Sequence, residues 1–119
     1  MIHIYGIKNC STMKKAFDWL GEHEVAYEFH DYKKESMSPE AIYVWVQALG
    51  LDVVLNKRGT TYRKLTDELK EDCMDAAKAC ALMSENLSMI KRPIVVYGEV
   101  DSPEYMAGFD ADKFEEELG

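Results

Sequence analysis

Basic residues are in short supply. Lysine and arginine together number 14 against 22 aspartates and glutamates, a formal net charge of −8. Sequence-independent nucleic-acid binding needs clustered cations to neutralise phosphates, so this balance excludes that class and makes any anion site a local one. No apolar run is long enough to span a bilayer, and Met1-Ile2-His3 lacks the basic and apolar regions of a signal peptide. The expectation is a cytoplasmic protein with no membrane partner. Cysteine is sparse as well, at three residues with no CxxC pair, which disfavours both a disulfide framework and a structural zinc site. His3, His23 and His30 have no spacing that suggests metal ligands, so no metal is expected. Repeats, low-complexity stretches and linkers are absent, and the 119 residues read as one domain over 1–119.

What is present centres on Tyr5-Gly6-Ile7-Lys8-Asn9-Cys10-Ser11-Thr12-Met13-Lys14-Lys15. A short apolar strand (Ile2, Ile4, Tyr5) enters a glycine turn, and Cys10 falls where a helix begins. Ser11 and Thr12 are helix-capping types, and Ala16, Phe17, Trp19 and Leu20 continue with helical periodicity. A helix start offers unpaired N–H groups and partial positive charge, which push a thiol toward thiolate. Lys8, Lys14 and Lys15 add charge nearby. Such a thiolate can attack sulfur or arsenic, and the N–H groups around it can hold an oxyanion. The competing reading is a small buried apolar cysteine.

Along the chain, residues 2–6 read as a strand, 12–22 as a helix ending at or just after Gly21, and 25–30 as a second strand, a βαβ unit with parallel pairing. Ser38-Pro39-Glu40-Ala41 starts a helix that Gly50 ends. A short helical turn follows at 53–55, then a loop over 56–62, one helix over 72–83 and a short segment over 86–90. Arg92-Pro93-Ile94-Val95-Val96-Tyr97 is a central strand. Gly98 and Asp101-Ser102-Pro103 make a hairpin to a weaker strand near Tyr105 and Met106, and a helix over 110–118 turns Phe114 and Leu118 inward. The order βαβ, helices, ββα is that of an α/β, thioredoxin-like fold with a mixed four-stranded sheet and a helical insertion at about 38–90.

In that fold the proline opening the third strand lies close to the first helix start, so Arg92 and Cys10 are expected to be neighbours. An arginine beside a thiolate lowers its pKa and offers a planar fork for oxyanions. Arg58, between Lys57 and Gly59, is either an exposed linking residue or a second anion ligand. Cys73 and Cys80 read as sharing one face of the 72–83 helix, either as buried core thiols or as a relay resolving an adduct on Cys10.

The opening motif through Ala16 resembles the arsenate-reductase-like (ArsC/Spx) family, and is most similar to its YffB branch. The likeness continues through His30-Asp31-Tyr32-Lys33, Leu55 to Leu65, Ile90-Lys91-Arg92-Pro93-Ile94 and Gly108-Phe109, in order and over essentially the whole chain. It implies a cis peptide at Pro93, Cys10 as nucleophile, and glutathione or glutaredoxin as the source of electrons, with glutathione a co-substrate rather than a bound cofactor. It implies anion binding by Arg92 and Arg58, by Lys8 and Asn9, and by the Ser11, Thr12 and Met13 backbone. Arg58 matches the arginine of the Spx and YffB branches, while Asn56 stands at the reductase position. After Gly108-Phe109 there is no counterpart of a third oxyanion arginine. Met13 stands where Spx-type switching has its second cysteine, so resolution needs an outside thiol. Position 16 is Ala16, which excludes the unrelated phosphatase-like arsenate reductases, since those need arginine there. Two functions follow from the resemblance: a glutathione-linked thiol oxidoreductase acting on an oxyanion or disulfide, and a non-enzymatic, Spx-like regulator binding RNA polymerase.

Overall fold

The computed structural model describes residues 1–119. In chain order the elements are β1 (Ile2–Gly6), α1 (Ser11–Glu22), β2 (Tyr27–Asp31), α2 (Pro39–Leu49), α3 (Leu51–Val54), α4 (Thr60–Arg63), α5 (Asp67–Asp72), α6 (Ala76–Glu85), a 3₁₀ turn (Leu87–Met89), β3 (Ile94–Glu99), β4 (Ser102–Ala107) and α7 (Ala111–Leu118). They fall into two compact units, Met1–Lys34 with Arg92–Gly119, and Glu35–Lys91.

The first unit is a mixed four-stranded sheet in the order β2-β1-β3-β4. β1 and β2 are parallel, with Ile2 opposite Tyr27 and Ile4 opposite Phe29. β3 runs antiparallel to both β1 and β4. A βαβ half followed by a ββα half around such a sheet is a thioredoxin-like fold, as the element order predicts. Side chains alternate across a strand, so Ile2, Ile4, Tyr27 and Phe29 share one face. Those residues pack with Met13, Ala16, Trp19 and Leu20 of α1, Val95 and Tyr97 of β3, Met106 of β4 and Phe114 of α7. Removing such a side chain from water contributes about 1.5–3 kcal/mol. Leu118 is half-buried against this core and Trp19 meets Phe114 edge-on at 5.4 Å.

Three boundaries differ from expectation. β2 starts at Tyr27 because the preceding residues close α1: Val25 N–H donates to the Leu20 carbonyl and Glu24 takes the left-handed conformation, φ 55°. α1 ends at Glu22, just after Gly21, as expected, whereas β3 runs over Ile94–Glu99, two residues later than expected. The hairpin turn is only Val100-Asp101, since Glu99 already pairs with Ser102, so Ser102 and Pro103 belong to β4. Pro103 is tolerated there because β4 is an edge strand. Gly98, at φ 86°, supplies a conformation that side chains resist.

In the second unit α2 packs on α6 and α3. Ser38 caps α2, its hydroxyl accepting from Ala41 N–H at 3.1 Å, and Pro39 follows in the first turn. Buried side chains include Ile42, Trp45, Val54, Leu55, Met83 and Ile90. An isolated bridge joins Leu55 to Ile90. The single helix expected over 72–83 is two helices: α5 stops at Asp72, and Asp75 caps α6 by accepting from Lys78 N–H. Residues 60–63, expected in a loop, form α4. No helix is long and apolar enough to cross a membrane.

Candidate functional site

The site is built where β1 hands over to α1. A Cβ on Gly6 would lie 2.6 Å from Met13 Sδ and 2.8 Å from its Cε, so glycine leaves the space that the fully buried Met13 fills. Met13 thereby anchors the first turn of α1 on the sheet. Cys10, not Ser11 or Thr12, is the N-cap, with extended backbone (φ −147°, ψ 130°) and its carbonyl accepting from Lys14 N–H at 2.9 Å. Ser11 and Thr12 therefore occupy the first helical turn.

Cys10 is half-buried and makes no side-chain cap bond as a thiol. Partial burial by itself pushes the thiol up. Stabilisation of the thiolate by Met13 N–H, the Arg92 guanidinium and Thr12 N–H more than offsets this, and the net shift is downward. Arg92 and Cys10 are thus neighbours, as the strand order predicts. The Arg92–Pro93 peptide is cis and Pro93 is buried, its carbonyl accepting from Gly108 N–H at 2.8 Å.

A surface groove lined by Lys8, Asn9, Cys10, Ser11, Lys14, Phe17 and Asp18 opens on the thiol side. Lys14 is committed to Asp18 at 2.8 Å, which leaves Lys8 as the lysine of this lining outside that pair.

Tyr32 is a residue to which the sequence reading assigns no role. It is buried, its hydroxyl has no hydrogen-bond partner, and Arg92 lies close enough for its charge to act on it. Burial, reinforced by Tyr5, pushes the phenol far above its ordinary range, so it stays protonated. Its signal in the sequence was the His30-Asp31-Tyr32-Lys33 block, which the resemblance included.

Arg58 lies in the second unit, exposed, with its N–H donating to Asn56 Oδ1 at 3.2 Å. It lines a pocket with Asp52, Val53, Leu55, Asn56, Lys57 and Lys91, where three cations face one carboxylate. Cys73 and Cys80 do not share a helix face: Cys73 is the C-cap of α5 and Cys80 is inside α6. Both are buried, and burial pushes both thiols up, the opposite of Cys10.

A family model described as the ArsC family matches residues 5–116. The chain belongs to the ArsC family. Among ArsC-family and related proteins, an uncharacterised protein of Haemophilus influenzae is 40% identical over 96 residues, covering 81% of this chain and 83% of that protein. The global transcriptional regulator Spx of Streptococcus agalactiae is 27% identical over 115 residues, 95% of this chain and 80% of its own. The solved structure of a protein called YFFB is 44% identical, with a TM-score of 0.92 and full coverage of both chains. An arsenate reductase (ArsC) related protein from Brucella melitensis is 40% identical, with a TM-score of 0.72 over 98% of this chain and 93% of that one. The fold of this ArsC-family chain is therefore arsenate-reductase-like.

Proposed function

We propose that this chain is a glutathione-linked thiol oxidoreductase with one working cysteine. The observation that carries the reading is a thiol lowered by a helix start and by Arg92, with Met13 where a second cysteine would stand. The Cys10 thiolate attacks one sulfur of a disulfide substrate, forming a mixed disulfide and releasing the other sulfur as a thiolate. One glutathione then attacks the Cys10 sulfur of the mixed disulfide, releasing the second substrate sulfur as thiolate. A second glutathione attacks the Cys10–glutathione disulfide, leaving as glutathione disulfide and returning Cys10 as thiolate, so the substrate gains the two electrons that two glutathione thiols lose. Glutaredoxin is an alternative donor in this step. With an oxyanion substrate, the Cys10 thiolate attacks the central atom and one of its oxygens leaves, protonated, as water, while Arg92 and the N–H groups of Ser11, Thr12 and Met13 hold the remaining oxygens. Lys8 and Asn9 contribute to anion binding in this scheme. No arginine follows Gly108-Phe109, which weighs toward disulfide over arsenate. Cytoplasmic thiol pools would supply the glutathione.

The test is intact-mass measurement after exposure to glutathione disulfide. Cys10→Ser should abolish the adduct, while Cys73→Ser and Cys80→Ser keep it. An adduct that persists in Cys10→Ser sinks the mechanism. A second reading, regulation through contact with RNA polymerase, is favoured by the Spx relatives that match 95% of this chain. Robust capture of the carboxy-terminal domain of the polymerase α chain, together with a Cys10 of ordinary acidity, would select it.

A further inference from the structure

The parallel register of β1 and β2 sets His3 opposite Glu28 and Tyr5 opposite His30. Alternation puts all four on the sheet face opposite the Ile4 and Phe29 core. There His3 Nδ1 lies 2.9 Å from His30 Nε2 and 3.2 Å from Glu28 Oε2, and His30 Nε2 lies 3.7 Å from the same oxygen. The histidine spacing in the sequence suggested no ligand set, but strand pairing assembles one from residues 27 apart. Each of these three atoms can present a lone pair to a shared proton or cation.

The size of the triangle also fits a cation. Sides of 2.9, 3.2 and 3.7 Å give a circumradius of about 1.9 Å. A point slightly off its plane is then about 2.0–2.1 Å from every corner, the bond length of Zn²⁺ to imidazole nitrogen and carboxylate oxygen. Tyr5 stacks on the His30 ring, centroids 4.4 Å apart at 13°, and so holds that imidazole in orientation. The side chains of His3, Glu28 and His30 are 35%, 59% and 17% exposed, so an ion can reach them from solvent. The acidic chain draws cations toward its surface.

We infer that His3, Glu28 and His30 form a three-ligand site for a borderline divalent transition cation such as Zn²⁺, with the fourth position open. Two imidazoles and one carboxylate select this class over Mg²⁺ and Ca²⁺, which prefer all-oxygen shells. The ion would clip the edge strand β2 to β1, using side chains on the strands and none from the Cys10 loop.

The test uses tag-free full-length chain carrying Cys10→Ser, so that the accessible thiol cannot compete. Titration calorimetry with Zn²⁺ should show one ion per chain, at micromolar affinity or tighter. His3→Gln and His30→Gln should each weaken binding by at least ~10-fold, and Glu28→Gln should also weaken it. Co²⁺ should give the visible bands of tetrahedral coordination without sulfur charge transfer, and Mg²⁺ should give no heat. Zn²⁺ should raise the Tm of the parent and not of His3→Gln, whose metal-free circular dichroism should match the parent. Absence of binding in the parent, or equal binding in His3→Gln, overturns the site.

Discussion

The contact between Gly6 and Met13 can be tested as a pair, because the structure makes the two positions compete for one volume. Met13 is fully buried, so Met13→Ala loses transfer free energy and leaves a cavity, costing about 2–5 kcal/mol. Gly6→Ala brings a Cβ to 2.6 Å from Met13 Sδ. The thioether can shift only by disturbing a packed core, and overpacking of this kind costs about 1–3 kcal/mol. In the double variant the added Cβ enters the space the methionine vacated. Its cost should fall short of the sum of the singles by about 0.5–3 kcal/mol. Urea unfolding followed by far-UV circular dichroism supplies all four corners, and the Met13→Ala arm should lower Tm by about 3–5 °C per kcal/mol. Additivity within about 0.3–0.5 kcal/mol would refute the reasoning, as would a Met13→Ala cost below about 1 kcal/mol. The outcome bears on chemistry too, because the Met13 N–H that faces the thiolate is held in place by this side chain.

Arg92→Ala removes a hydrogen bond and a charge from the Cys10 thiolate, so the pH profile of Cys10 alkylation should move to higher pH; an unmoved profile counts against the pairing. Since the folded Cys10 thiol ionises at lower pH than in the unfolded chain, its stabilising contribution is complete above the ordinary thiol value near ~8.5 and fades as pH falls through the folded value. Cys10→Ser should therefore flatten the stability-versus-pH curve in that window, and an identical slope in parent and variant would contradict the downward shift. At neutral pH a small alkylating reagent should label Cys10 alone, as peptide mass mapping will show, because burial raises Cys73 and Cys80; rapid labelling of either is the opposing result. Glu24→Gly relieves a left-handed backbone at the end of α1 and should stabilise by up to about 1 kcal/mol in thermal melts, a loss of stability being the contrary outcome.

Features carried by local chemistry were legible in the sequence. The Ser38-Pro39 start of α2, the apolar β3 and the Cys10 helix start each depend on neighbouring residues. α2 starts where expected, β3 forms two residues later than expected, and the α1 helix starts at Cys10 with the cysteine itself as N-cap. The split between α5 and α6 was missed because the alanines over 76–81 extend a helical pattern backward. Its marks were Thr66 and Asp75, whose side chains cap α5 and α6. What no local pattern could show is what strand register and folding bring together. The His3, Glu28 and His30 cluster needs the β1–β2 pairing, and the nearness of Tyr32 to Arg92 needs the fold.

Titrating the Cys10 thiol tests its activation most directly. In a Cys73→Ser, Cys80→Ser background, the ultraviolet absorbance of the thiolate should rise with a midpoint below the ordinary cysteine value of about 8.5. A midpoint at or above that value would contradict the account.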